Sequence, residues 1–385
     1  LFIKFTKMQL LQNGRFVSVY FIMQLLFMVF MKPIHSQPVS QTPLRLAVAG
    51  ISHGHVPWIL GRKGKTDVTL VGVYEPNKAL AEQNAKTYHL SPDLFYSDLS
   101  KMLDAVKPEA VCVFGSIKNH LAAVEACAPR GVHVMVEKPL AFTNDDARKM
   151  QELATKNKIH LLTNYETSWY PTTEKAYRLV TDSEYVGNIK KVVFHHGHQG
   201  PKEIGVNPEF FEWLTDPVEN GGGAIVDFGC YGANLMTYLM HGQDPVSVTA
   251  VTQHFKPAIY PKVDDEATII VTYPTAQCII QASWNWPFSR KDMEVYGEKG
   301  YIITIDNNHM RMKNDDTKGE RLLNITTKEL PVYTDPFSYF ADVIRGKINI
   351  PENGLYSLEN NVKAVKILDA ARKSARTGKS VAIQN

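Results

Sequence analysis

Between Leu44 and Asn164, short apolar runs rich in β-branched residues alternate with helical stretches. This alternation constrains the fold more than any other feature of the chain. Leu44–Ala49, Val68–Tyr74, Ala110–Phe114, Val132–Val136 and His160–Asn164 are too short for buried helices and have strand composition. Helical stretches fall between them: one through Leu60, then Ala79–Tyr88, Ser97–Leu103, His120–Ala128 and Asp145–Lys156. Strands alternating with helices require right-handed crossovers, and so a doubly wound parallel α/β sheet. The expected domain covers residues 43–163. Such sheets bind ligands beyond the carboxyl ends of their strands, which singles out the loops after each run.

The first loop is Gly50-Ile-Ser-His-Gly-His55. A dinucleotide turn uses Gly-x-Gly-x-x-Gly, because glycines permit a tight turn and close approach to a pyrophosphate. Gly50 fits the first position, Ser52 and His55 replace the second and third glycines, and Gly54 sits one residue early beside His53. Alone this is a weak signal, since many α/β turns carry one glycine. Glu75 strengthens it. It ends the second strand at about the spacing expected for a carboxylate on the adenosine ribose diol, which favours NAD over NADP. The bland alternative is a solvated loop acid. The fourth strand ends at Glu137-Lys138-Pro139, where proline stops the strand and leaves an ammonium group at its carboxyl end. Unless other residues converge there, that lysine reads as solvated.

After Tyr165 the pattern changes. Asn164, Tyr165, Trp169 and their neighbours are aromatic and polar, like the lining of a site. His195, His196 and His198 lie on a strand, with His196 and His198 on one face; no Cys, Asp or Glu in register supports a metal, and a polar pocket wall is the better reading. Gly221-Gly222-Gly223 opens a helix to Met240 on which Asp227, Tyr231 and Asn234 share a face that meets either water or a site. Successive strands from Ser247 to Met312 then imply an α+β second domain (164–350) with a large, mostly antiparallel open sheet, and residues 351–385 add a carboxyl-terminal helix. Trp284 and Trp286 are either a subunit contact or a site wall. A strand-rich domain of this kind favours a homodimer or homotetramer.

Of the 42 cationic residues four lie in the first 37, which hold no acid, so against 39 acids the rest of the chain carries one net negative charge. A near-neutral body gives no footprint for nucleic acid. Cys112, Cys127, Cys230 and Cys278 sit scattered in apolar runs and read as small buried hydrophobes. Lys4, Lys7 and Arg15 precede the apolar run Phe16–Met31, and a polar segment follows. That is the order of a secretory signal peptide over residues 1–37. Export to the periplasm or medium is expected, without stable membrane association after cleavage; a start at Met31 would instead leave the protein cytoplasmic.

Together these residues resemble the glucose–fructose oxidoreductase / inositol dehydrogenase / MocA family, from about Arg45 to Ile383. Gly131-Val-His-Val-Met-Val-Glu-Lys-Pro139 is similar to the family's Gly-Lys-His-Val-x-x-Glu-Lys-Pro, His120 matches ahead of it, and Gly221–Asn234 looks like its second signature. Tyr231 and Asn234 stand where many members have histidine and aspartate; Gly115-Ser116 replaces Thr-Pro, and Glu166 lies where arginine is common. The resemblance implies an NAD(P)-dependent oxidoreductase acting on a secondary hydroxyl of a sugar or polyol. It implies Lys138, Tyr231 and Asp227 as catalytic residues, and Lys138 and Tyr231 placed together near a cationic nicotinamide would each have a lowered pKa. It also implies Gly115, Ser116, His120, Glu137 and Lys138 beside the cofactor, and Asn164, Tyr165, Trp169, His198 and Asn234 beside the substrate. Export would require a tightly held NAD. Two other readings stay open: a redox-neutral NAD-dependent glycosidase, and a non-catalytic sugar-binding or regulatory protein.

Overall fold

The glycine loop and the Glu-Lys-Pro segment are brought together by a six-stranded parallel sheet. The structure, a computed structural model, describes residues 42–181 and 185–383. The basic–apolar–polar amino-terminal segment lies outside the described residues. The sheet contains β1 (Leu44–Ala49), β2 (Val68–Tyr74), β3 (Phe95–Tyr96), β4 (Ala110–Val113), β5 (His133–Glu137) and β6 (Leu161–Asn164), in the order β3-β2-β1-β4-β5-β6. Every pairing is parallel. β3 has two residues, too few for a periodic signal in the sequence.

The crossover helices are α1 (Pro57–Leu60), α2 (Lys78–Tyr88), α3 (Leu99–Val106), α4 (Ile117–Cys127) and α5 (Asn144–Asn157). Side chains fix their starts: Asn77 accepts from the Ala79 and Leu80 amides, Asp98 from Lys101 and Thr143 from Asp146. The Asp98 cap explains why α3 begins two residues later than its composition implies. Ala47, Val111, Val134 and Val136 on one face of the sheet pack against α4 and α5, while Leu46, Val48, Cys112 and Met135 face the other way onto α1 and α10 (Pro336–Ile344).

The second sheet has nine strands. These are β7 (Ile189–Gly197), β8 (Ser247–Gln253), β9 (Glu266–Thr272), β10 (Gln277–Ser283), β11 (Arg290–Gly297), β12 (Gly300–Thr304), β13 (His309–Asn314), β14 (Arg321–Asn324) and β15 (Val381–Ala382). Their order is β14-β13-β12-β11-β7-β10-β9-β8-β15, antiparallel except where β7 lies parallel to β10. Val192, Phe194, Ile269, Ile280 and Val295 are fully buried on the inner face. The other face is open: Val193, Ile270, Ile279 and Ile303 are half-buried, and Val251 and Leu322 are exposed.

The helix expected from Ala224 to Met240 is instead two pieces, α8 (Ala224–Asp227) and α9 (Gly229–Leu239), separated at Phe228. The Asp264 carboxylate accepts the Gly223 and Ile225 amides at 2.9 and 2.7 Å and so anchors α8 at its first turn. The Asp264 carbonyl approaches Gly223 so closely that a Cβ has no room there. Gly229 in turn leaves space for Ile269 and Leu368, seating α9 between the sheet and α11 (Leu358–Thr377). α6 (Pro171–Thr181) and α7 (Pro208–Leu214) complete the helices used below. No helix among the described residues is long and apolar enough to cross a membrane. All four cysteines are buried and free.

Candidate active site

Gly50 leaves β1 with φ +75°, and a Cβ there would lie 2.8 Å from the Gly115 nitrogen. Only glycine permits this approach of the loops after β1 and β4. Beside them opens a cleft of about 450 Å³ whose lining includes Gly50, Ser52, Glu75, Gly115 and Ser116. Glu75 is buried on its floor. Its two oxygens take the Ile51 and Asn77 amides at 3.1 and 2.9 Å, and burial pushes its carboxyl pKa above the usual value.

The rest of the glycine loop is filled by side chains. Gly54 lies under Phe210, and His53 is buried against Phe210 and Trp213, with ring centroids 4.7 and 5.8 Å away. α1 is a single turn, shorter than the helix that usually follows such a loop. His53 Nδ1 accepts the His55 amide at 3.0 Å, and His55 Nδ1 donates to Glu137 Oε2 at 3.1 Å. The other Glu137 oxygen takes the Asn164 amide at 2.7 Å, and Asn164 is held in turn by Trp169. Burial opposes the charge on Glu137, but His55, His53 and Asn164 prevail and hold its pKa at about 2.

The ligand atoms of His53, His55 and Glu137 lie within 4.8 Å of one another. They do not form a good metal set. His53 spends its Nδ1 lone pair on a main-chain N–H, so the neutral ring presents Nε2–H, not a lone pair, to Glu137 4.0 Å away. The trio is a carboxylate hydrogen-bonded by His55 with His53 close by.

Lys138 is 8% exposed at the end of β5. Its ammonium group donates to Asp227 Oδ1 and, at 3.1 Å, to the Asp227 carbonyl. The second Asp227 oxygen takes Trp284 Nε1 at 2.9 Å. Burial disfavours both charges, and their mutual attraction outweighs it: Lys138 is raised above its usual pKa and Asp227 lowered. Tyr231 lies on α9, one turn beyond Asp227. The Lys138 and Lys291 ammonium groups sit 5.2 and 5.5 Å from its ring centroid, and its hydroxyl makes no hydrogen bond among the described residues. Burial, reinforced by Glu166, pushes its phenol well above 10. Without a cationic nicotinamide beside them, Lys138 and Tyr231 are therefore both held in their protonated forms. Asp227 saturates the lysine charge, and no net positive field remains on the phenol.

A second cleft of about 680 Å³ adjoins this cluster, with Glu166, Tyr170, His198, Lys291 and Thr304 in its wall. Lys291 pairs with Glu166, which also accepts Tyr170 Oη at 2.6 Å. His198 accepts the Gly200 amide on Nδ1, and burial lowers its pKa to about 4, so the neutral ring presents Nε2–H. His196 is 1% exposed, its ring centroid 5.5 Å from that of Tyr231.

Several expected site residues support the cluster rather than face a cleft. Asn234 is fully buried and donates to the Leu355 carbonyl and Asn361, tying α9 to α11. Asn164 and Trp169 stand behind Glu137, and Trp169 stacks on Tyr356. Tyr165 is buried edge-on to Tyr231. His120 packs behind the Lys-Pro turn through the Leu140 carbonyl and stays away from the dinucleotide cleft. His195 points to the opposite face, where it does meet an acid, Glu294, at 3.3 Å. Trp284 joins the cluster with its role left open by the sequence, and Lys291 was missed. The first was visible as a paired-tryptophan motif of ambiguous role; the second carries no local signal, since only the pairing of β11 with β7 brings it to Tyr231.

Residues 44–165 match the family model described as "Oxidoreductase family, NAD-binding Rossmann fold", and residues 174–303 match that of the "GFO/IDH/MocA C-terminal domain". The D-xylose 1-dehydrogenase [NADP(+)] of Haloarcula marismortui is 22% identical over 340 residues, 86% of this chain and 92% of that one. The trans-1,2-dihydrobenzene-1,2-diol dehydrogenase of Xenopus laevis is 26% identical over 262 residues, 66% of this chain and 74% of that one. Among solved structures, an inositol dehydrogenase homolog complexed with NAD+ from Azotobacter vinelandii superposes with a TM-score of 0.75 at 19% identity, covering 89% of this chain and 98% of the other.

Proposed function

We propose, for a chain that belongs to the GFO/IDH/MocA family of oxidoreductases, that it moves a hydride between NAD and a secondary hydroxyl of a sugar or sugar-like polyol. The observation that carries this reading is the Lys138–Asp227 pair against Tyr231, at the carboxyl end of the sheet whose β1 and β4 loops line the first cleft, with Lys291 linking it to the polar one. Gly50, Gly115 and Glu75 fit a dinucleotide: the first two allow close main-chain approach, and Glu75 offers a carboxylate for a ribose diol. Relatives named as xylose and dihydrodiol dehydrogenases support a polyhydroxylated substrate.

When bound, the nicotinamide supplies the hydride acceptor or donor. The rest falls to side chains. Lys138, fixed by Asp227, places its remaining N–H and its charge toward the reacting oxygen. That stabilises an alkoxide and cannot remove a proton while the ammonium is intact. The Tyr231 hydroxyl is the uncommitted proton carrier. In the protonation state described, both groups are acids. The site is therefore set to protonate a carbonyl during reduction at neutral pH, and oxidation of an alcohol needs deprotonation, favoured by alkali. His198 and the Glu166–Lys291 pair supply donors and acceptors to the other hydroxyls of the substrate.

The deciding experiment is mass spectrometry of nucleotides released on denaturing protein purified without added cofactor, followed by titration with NAD. Retained or titratable NAD supports the reading; failure to bind any nicotinamide dinucleotide overturns it and favours a binding protein on this scaffold. A second copy of the chain is the partner proposed for the open sheet face, with its half-buried isoleucines, and light scattering that reads a monomer would exclude it.

A further inference from the structure

One wall of the dinucleotide cleft does not come from the parallel sheet. Residues 207–220, which follow β7, cross it from the loop after β1 to the loop after β4. At one end Asn207 Nδ2 donates to the Ser52 carbonyl at 3.4 Å and Trp213 Nε1 to Ser52 Oγ at 3.1 Å. At the other, Glu219 accepts Ser116 Oγ at 2.6 Å and Lys118 Nζ at 3.2 Å, and the Glu219 carbonyl takes the Lys118 amide at 3.1 Å. Phe210 and Trp213 also press on His53 at the first of these ends. The segment thus spans the two loops that a dinucleotide would touch.

Its side chains change the chemistry of the cleft. Glu209, Glu212, Asp216 and Glu219 join Glu75 in the lining, which contains no lysine or arginine. Lys78, just beyond Glu75, is exposed and pairs with Glu82. Glu209 lies in the same cleft as Glu75, and its charge adds to the burial that raises the Glu75 carboxyl.

We infer that Glu209, carried by this strap, is a second reader of the adenosine ribose: with Glu75 it brackets the diol and rejects a 2′-phosphate, so that cofactor choice is set jointly by both domains. This rests on the proposed dinucleotide function. A ribose diol offers two hydroxyl donors and can satisfy two carboxylates. A 2′-phosphate is close to a dianion, and within about 6 Å of one carboxylate it loses about tenfold in affinity even with the full screening of water.

The test is calorimetric titration of the full, cofactor-stripped chain with NAD and with NADP, for the wild type, Glu209→Gln, Glu75→Gln and the double variant. Glu209 is half-buried and is not a helix cap, and circular dichroism checks that each variant is folded. Wild type should prefer NAD. Glu209→Gln should narrow the preference about tenfold, chiefly by tightening NADP, and the double variant should narrow it further than Glu75→Gln alone. The inference is overturned if Glu209→Gln leaves the ratio unchanged while Glu75→Gln shifts it, or if wild type binds both equally. Binding of neither dinucleotide by wild type is a different failure, that of the proposed function itself.

Discussion

Replacing Lys138 by methionine keeps most of the buried side-chain volume and removes the charge. Asp227 is 6% exposed, and Lys138 donates to one of its carboxylate oxygens and to its main-chain carbonyl; the variant leaves the carboxylate one side-chain donor, Trp284 Nε1 at 2.9 Å. A buried ion that loses its partner costs about 3–5 kcal/mol. Lys138→Met should therefore lose about that much in urea unfolding of cofactor-free protein at pH 7.5, and Lys138→Met/Asp227→Asn should recover most of it because no unpaired charge remains. The pH dependence has a definite sign. Lys138 depresses the Asp227 pKa below 3.8; without it, burial raises that pKa. The variant's Asp227 is then ionised in the unfolded chain and resists ionisation in the folded one, so the destabilisation should shrink as pH falls toward 4.5. Losses that simply add in the double variant, or a single-variant cost under about 1 kcal/mol at every pH, would refute the account of this pair.

Other expectations follow from the same geometry. Tyr231→Phe should lower the rate of hydride transfer by about 10²–10⁴ with an unchanged unfolding midpoint, and should abolish the alkaline rise in alcohol oxidation that the high phenol pKa predicts in the parent protein. Burial depresses His120 and His196, to about 4 and about 3, so each contributes stability above the unfolded value of 6.5 that is lost as pH falls toward its folded value. His196→Phe should flatten part of that acid loss in a pH series of urea midpoints. Glu137, held at about 2, contributes stability above 4.5 that disappears as pH falls toward 2, and Glu137→Gln should remove that segment of the curve.

The parallel sheet was legible because alternation and period are local properties of the chain: Leu44–Ala49 and Val68–Tyr74 match their predicted bounds to the residue. The active cluster was legible in part. Lys138 stands at a strand end marked by proline, and Asp227 and Tyr231 keep a helical spacing despite the break at Phe228. The partners of Asn234 were not legible, because the Leu355 carbonyl and Asn361 that its amide meets come from more than a hundred residues away. Lys291 and Trp284 reach the cluster through sheet pairing, which no short window contains. α7 was missed because seven residues give too little periodicity, although its Asn207 cap and Pro208 are a start signal in the sequence.

Hydride transfer to or from a sugar-like hydroxyl, with Lys138 stabilising the reacting oxygen, can be followed in a single turnover at 340 nm: NAD-loaded protein mixed with a panel of pyranoses and polyols at pH 9, beside Lys138→Met loaded with NAD to the same occupancy. At least one substrate should give a burst of reduced cofactor that the variant loses by at least about a hundredfold. An equal burst in Lys138→Met, or no reduction with any substrate from a fully loaded wild type, would contradict it.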